Sequence, residues 1–67
     1  MERTTYRLQI GSAQIDIPGC YWLRDAVQML HSMGINHKPT GAWFLAQDGQ
    51  WYRVADMALR GIYRNTY

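Results

Sequence analysis

The sequence is poor in cysteine and in long apolar runs. Cys20 is the only cysteine of the 67 residues, so no intramolecular disulfide can form. Secreted domains of this size normally depend on several disulfides. The first residues do not resemble a signal peptide, and no apolar run approaches the roughly 20 residues that cross a bilayer. We therefore expect a cytoplasmic protein without membrane contact.

Residue patterns typical of catalysis are also scarce. The six glycines are scattered over turns and form no phosphate-binding loop. Cys20, His31 and His37 do not have the spacing of zinc ligands, and a fourth ligand is missing. His31 falls in the last turn of a predicted helix, where it complements the helix dipole. The aspartates form no evident acid/base pair. We therefore expect no enzyme, no metal and no cofactor.

Length and charge narrow the possibilities further. With 67 residues, 48% of them hydrophobic and 18% charged, the chain has the composition of one small folded domain, 1–67. A net charge of +2 is below that of a dedicated nucleic-acid binder. All basic residues except Lys38 are arginine, the cation enriched at interfaces. A GC-rich coding sequence would produce the same bias.

Hydrophobic periodicity predicts the first half of the fold. Apolar residues alternate over 5–10 and 14–17, which predicts a β-hairpin whose second strand is ended by Pro18-Gly19. Over 21–33 they recur every three or four positions, which predicts a helix. Gly34 fits its left-handed C-terminal cap, with Ile35 folded back on Leu30. Core positions are expected for these side chains: Trp22, Met29, Met33 and Met57.

The second half is predicted to contain another hairpin and a short helix. Asp48-Gly49 between alternating apolar residues is typical of a two-residue type I′ turn. That turn would pair Leu45 with Tyr52, Phe44 with Arg53 and Trp43 with Val54. Asp56 fits an N-cap, and the helix would end at Gly61 or continue to Arg64. Residues 1–4 and 65–67 are expected to fray.

The predicted fold is α+β, in the order β-β-α-β-β-α. A four-stranded antiparallel sheet would carry the main helix on one face. With the type I′ register, the larger apolar set of the second hairpin takes the core: Trp43, Leu45, Tyr52 and Val54. Phe44, Trp51 and Arg53 are then left on the open face of the sheet.

An open face with aromatic residues and arginine is typical of an interface centre. The predicted partner-binding residues are Phe44, Trp51 and Arg53, surrounded by Arg7, Arg60, Tyr63 and Arg64. Two alternatives stay open for the aromatic pair. The C-terminal segment would bury it by folding back as a second small core, or homodimerisation would cover it.

In general profile the chain resembles small phage or mobile-element proteins, many of which bind a larger host machine, as anti-CRISPR proteins do. The resemblance implies a non-enzymatic module that inhibits or modulates a larger protein or nucleoprotein complex by steric occlusion. Two alternatives remain. One is a small nucleic-acid-binding protein that stacks bases on the aromatic and arginine face of the sheet. The other is a homo-oligomeric structural subunit.

Overall fold

A computed structural model describes residues 3–64, except for the side chains of residues 63 and 64. Its elements are β1 (Thr4–Ile10), β2 (Ala13–Cys20), α1 (Leu23–Ser32), β3 (Gly41–Leu45), β4 (Trp51–Arg53) and α2 (Asp56–Arg64). The strands form one antiparallel sheet in the order β2-β1-β3-β4. The predicted α+β order and four-stranded sheet are confirmed. Thr4 belongs to β1 rather than to a frayed end, and residues 1–2 and 65–67 lie outside the described part.

The first hairpin forms as predicted, but its second strand is longer. Tyr6 lies opposite Ile17, whereas Thr4 lies opposite Cys20, so β2 accommodates an extra residue there as a bulge. The expected stop at Pro18-Gly19 is therefore wrong. Proline is tolerated because β2 is an edge strand, where a missing N–H breaks no ladder bond.

The core lies between α1 and one face of the sheet, which we call the inner face. On β1 this face carries Tyr6, Leu8 and Ile10, as the alternation predicts. Six of the buried side chains form one cluster: Leu8, Ile17, Cys20, Ala26, Leu30 and Ala42. α1 packs mainly on β2, whereas α2 packs on β3. The two helices thus lie over different halves of the sheet.

The C-terminal end of α1 matches the sequence prediction. Gly34 has a φ of 87°, and its N–H donates to the His31 carbonyl at 3.0 Å. The Ile35 N–H donates to the Leu30 carbonyl at 3.3 Å. These two bonds complete a Schellman motif. At the opposite end, Trp22 occupies the N-cap position and makes no side-chain capping bond.

The predicted core positions of four large side chains are wrong. Exposure is 57% for Trp22, 49% for Met29, 52% for Met33 and 81% for Met57. Each helix buries only a narrow stripe against the sheet in so small a domain. In α1 that stripe is occupied by Ala26, Val27 and Leu30, and the methionines lie beside it.

The second hairpin has a different turn from the predicted one. The Gly49 N–H donates to the Ala46 carbonyl at 3.0 Å, and the Ala46 N–H donates to the Gln50 carbonyl at 2.9 Å. Only glycines have positive φ among the described residues, and Gly49 is one of them, at 83°. A type I′ turn also needs positive φ at Asp48, so the loop is a three-residue type I turn with a glycine bulge.

The longer loop shifts the pairing by one residue. Leu45 lies opposite Trp51, Phe44 opposite Tyr52, and Trp43 opposite Arg53. The predicted type I′ register is wrong, and a slip of one residue moves side chains to the other face. Phe44 therefore lies on the inner face with Tyr52, and their rings stack at 5.8 Å between centroids.

α2 continues to Arg64, the longer of the two predicted alternatives. Ala58 and Leu59 donate backbone bonds to the Ala55 carbonyl, so Asp56 lies in the first turn and is not the N-cap. Leu59 is the buried anchor of α2, with 6% exposure.

Candidate interaction surface

The side of the sheet opposite α1 forms the candidate site, which we call the outer face. The pairings put Arg7 opposite Trp43, and Trp43 opposite Arg53. Leu45 lies opposite Trp51 on the same side. Strand alternation thus brings two indoles, one leucine and two guanidinium groups together. Trp43, Leu45 and Trp51 are half-buried.

Arg7 is held between a carboxylate and an aromatic ring. Its guanidinium donates to both Asp16 oxygens, at 2.8 and 3.1 Å. The same group lies over the Trp51 ring, 4.1 Å from the centroid, within the range of a cation–π interaction. The hydrogen bonds from Arg7 lower the pKa of the Asp16 carboxyl and raise the pKa of the guanidinium. Asp16 thus holds the guanidinium that contacts the Trp51 ring.

Trp43 has a similar environment on the neighbouring part of the outer face. A Cβ added at Gly41 would be 3.3 Å from the Trp43 ring, so the indole lies close over this glycine. The Arg53 guanidinium lies 5.7 Å from the Trp43 centroid. Arg53 also forms an ion pair with Asp56 at 3.4 Å. Each indole of the outer face is therefore accompanied by an arginine that has its own carboxylate.

These ion pairs leave the outer face nearly neutral. Arg7 pairs with Asp16 and Arg53 pairs with Asp56. All four side chains remain accessible to solvent, with exposures of 32%, 46%, 58% and 55% in that order. The surface combines apolar area with polar groups whose charges already cancel.

The predicted binding residues separate in the structure. Trp51, Arg53 and Arg7 lie together on the outer face, but the placement of Phe44 there is wrong because of the shifted register. Arg60 is exposed on α2, the helix that shares the inner side. The side chains of Tyr63 and Arg64 lie outside the described residues.

Two outer-face residues were missed by sequence reasoning. Trp43 and Leu45 were assigned to the core because the turn length was taken as two residues. The ion-pair role of Asp16 has a signal in the sequence, since the first hairpin places it directly opposite Arg7.

The inner side carries an open groove between the helices, which we call the helix groove. Its volume is 690 Å³. Tyr6, Phe44 and Val54 contribute to its floor, and the first turn of α1 and the exposed side of α2 form its walls. The groove thus lies between the first turn of α1 and α2.

The polar groups considered for catalysis are dispersed. Within residues 3–64, no cluster of three or more His, Cys, Asp or Glu side chains is placed to bind a metal ion. Burial raises the pKa of the Cys20 thiol, which lies 3.7 Å from the Pro18 carbonyl oxygen. Neither described helix has the length and apolar character needed to cross a membrane.

Comparisons with protein-family models, with curated proteins and with solved structures give no match to this chain. The residues and their geometry therefore supply the basis for a functional proposal.

Proposed function

We propose that the protein is a non-enzymatic cytoplasmic binding module. Its outer face docks on a larger protein or nucleoprotein complex and inhibits or modulates it by steric occlusion. The observation that supports this function is the pair of half-buried tryptophans, Trp43 and Trp51, each contacted by an arginine on the open side of the sheet. Tryptophan and arginine are the residues most enriched among interface hot spots.

Preorganisation favours this use of the surface. Arg7 already has a carboxylate and an indole as partners, so its side chain loses little conformational entropy when a partner protein covers it. A protein surface that buries Trp51 would also shield these ion pairs from water. Burial of apolar area then supplies affinity, and the polar rim supplies specificity.

Nucleic-acid binding is the second candidate. It is favoured by the two indoles on an open sheet, on which bases are able to stack. The charge pattern opposes it, because Asp16 and Asp56 lie beside the two arginines that would contact phosphates. A homo-oligomer formed through the same face is the third candidate, and it requires only the apolar area.

The test compares Trp51→Ala with the wild type in a pull-down from a lysate of the source organism, with and without nuclease. We expect the variant to fold, because Trp51 lies outside the buried core cluster. We expect it to lose a nuclease-resistant protein partner, with binding weakened by at least about 2 kcal/mol. Circular dichroism checks the fold, and calorimetry with the purified partner measures the loss.

Met33→Ala is the matched control. It removes a large exposed side chain at the C-terminal cap of α1 without changing the outer face, so partner binding should stay at the wild-type level. If Trp51→Ala unfolds, the Trp51 indole is needed for the fold, and the proposed role in docking fails. Equal binding by both variants would remove the outer face as the docking surface.

A further inference from the structure

We propose that the free edge of β2 binds β2 of a second copy of this chain, so that two four-stranded sheets join into one continuous sheet in a symmetric dimer. The contact uses the backbone of β2 and the adjoining flank of α1, whereas the proposed function uses side chains of the outer face. The inference therefore does not depend on the proposed function of that face.

The direction of the backbone hydrogen bonds shows that β2 has an open edge. The Gln9 carbonyl accepts the Thr40 N–H at 2.9 Å, on the side of β1 that faces β3. Gln14 lies opposite Gln9, so these two residues exchange no backbone bonds, and the N–H and C=O of Gln14 point away from β1. Asp16, two residues further along β2, points the same way. Within residues 3–64, no strand lies on that side of β2.

The features that usually protect an edge strand are confined to the end of β2. The bulge and Pro18, which has no N–H, occupy its last residues. Before them, the Gln14 side chain donates to the Gln9 side chain at 3.0 Å, and the Asp16 carboxylate accepts from Arg7. Both side chains thus lie over the sheet and leave the backbone edge of residues 14–16 uncovered. The strand at the opposite edge of the sheet, β4, has only three residues.

Self-complementarity identifies the occupant as a second copy. A two-fold axis at Ile15 places Gln14 of each copy opposite Asp16 of the other, and each such pair exchanges both of its N–H···O bonds. An axis at Asp16 would place two carboxylates opposite each other and would pair Gln14 with Pro18. An axis at Gln14 would pair Asp16 with the turn residue Ser12. The edge therefore fits a copy of itself in one register.

The same axis brings apolar side chains together on the inner face. Ile15 is half-buried beside the core, and it would lie close to Ile15 of the second copy. α1 packs mainly on β2. Met29 lies about 140° around α1 from Arg24, which lines the helix groove, so Met29 is on the flank turned away from that groove. Because both α1 helices would lie on the same side of the joined sheet, the two Met29 side chains, each 49% exposed in one chain, would cover each other.

Analytical ultracentrifugation of the full chain tests the proposal. We expect the mass to rise to twice the 7.8 kDa of one chain as the protein concentration increases to about 1 mM. Hydrogen exchange followed by nuclear magnetic resonance locates the contact. The amides of Gln14 and Asp16 should become protected as the concentration increases, whereas protection in β4 should stay constant.

Gln14→Pro tests the backbone contact. It should weaken dimerisation by at least about tenfold, because it removes an N–H that each copy donates across the seam. The fold should remain, since this N–H points away from β1 and proline is tolerated on the outer side of an edge strand. Gln14→Ala is the matched control. It removes the same side chain but keeps the N–H, so dimerisation should weaken by less than about fivefold.

Met29→Lys tests the helix contact, and it keeps the proposal testable if Gln14→Pro does not fold. Two added charges would face each other across the seam, so dimerisation should weaken by at least about tenfold. Gln28→Lys is the matched control, because it adds the same charge at a neighbouring exposed position of α1 that faces solvent. It should change dimerisation by less than about twofold.

Three outcomes would overturn the proposal. The first is a monomer at every concentration up to about 1 mM. The second is a dimer that Trp51→Ala dissociates but Gln14→Pro and Met29→Lys leave intact, because the two copies would then meet through the outer face. The third is protection of Gln14 and Asp16 that appears only with a lysate partner, which would make a foreign strand the occupant. Failure of Trp51→Ala to lose the lysate partner, by contrast, would concern only the outer face.

Discussion

At the scale of single residues, the outer face depends on Arg7. This side chain joins the β1–β2 half of the sheet, through Asp16, to the β3–β4 half, through the Trp51 ring. Strands β1 and β4 are not neighbours, so the contact crosses over β3. A bidentate pair fixes the plane of the guanidinium, and the Trp51 ring packs against that group.

The Arg7–Asp16 pair makes a pH-dependent contribution to stability. Because the folded-state pKa of Asp16 is lowered by Arg7, the contribution is present above the ordinary aspartate pKa of about 3.9 and is lost as the pH falls through the lower folded value. Asp16→Asn should lower the free energy of unfolding by about 0.2–1 kcal/mol at neutral pH, since the pair is exposed. Urea unfolding at neutral and acid pH measures this change in the free energy of unfolding.

The difference between Asp16→Asn and the wild type should disappear once Asp16 is protonated. Asp25→Asn, on α1, is the control for removal of a carboxylate elsewhere. A difference that persists unchanged in acid would mean that Asp16 acts through shape or a neutral hydrogen bond, and not through its charge.

At the scale of elements, the β3–β4 turn determines which residues face outward. Asp48 stabilises the three-residue loop through its two carboxylate oxygens. One accepts the Gln50 N–H at 2.9 Å, and the other accepts the Tyr52 hydroxyl at 2.6 Å. These bonds lower the pKa of Asp48, and the bond to Asp48 raises the pKa of Tyr52. Both shifts favour the ionised carboxylate and the neutral phenol, as the loop requires.

Gly49→Ala tests this turn. Gly49 has a φ of 83°, which an L side chain adopts with strain, so the substitution should destabilise the fold by about 1–2 kcal/mol. Gly61→Ala is the matched control within α2, where an added Cβ meets nothing within 4 Å. It should stabilise the fold by up to about 1 kcal/mol, because alanine is the better helix former. Both values come from urea unfolding.

An unchanged stability in Gly49→Ala would mean that the loop adopts another conformation in solution. The Trp43–Arg53 pairing would then need to be determined again by nuclear Overhauser effects between β3 and β4.

Local sequence signals predict most of the elements, because their causes lie within a few residues. The Gly34 cap and the alternation of β1 are examples. The orientation of β3 is different, since it depends on pairing with β1 across a long separation in sequence. That pairing puts Ala42 opposite Leu8 in the core, and Trp43 consequently faces outward.

The candidate site was predicted only in part for the same reason. Asp48-Gly49 is compatible with a two-residue and a three-residue loop, and the two differ by one position of register. With a two-residue loop, Phe44 would lie on the outer face. With the observed three-residue loop, Trp43 and Leu45 lie there instead, and Trp51 and Arg53 lie there with either loop. Local composition alone does not decide it.

At the scale of the whole molecule, the two sides of the sheet have different chemistry. The outer face has paired charges and two indoles, whereas the helix groove is lined mainly by aromatic and aliphatic side chains. Arg53 borders both regions, and its charge is paired with that of Asp56.

The pairing of charges on the outer face predicts how salt affects binding at this surface. Release of counterions from single-stranded nucleic acid gives a slope of log K against log salt of about −0.7 for each phosphate contacted. Since Asp16 and Asp56 already neutralise the two arginines, binding of the protein partner should change little between about 50 and 200 mM salt. Labelled oligo(dT) should bind weakly, and Trp51→Ala should not alter that binding. A steep slope combined with oligo(dT) affinity that requires Trp51 would replace protein docking with base stacking as the function of this face.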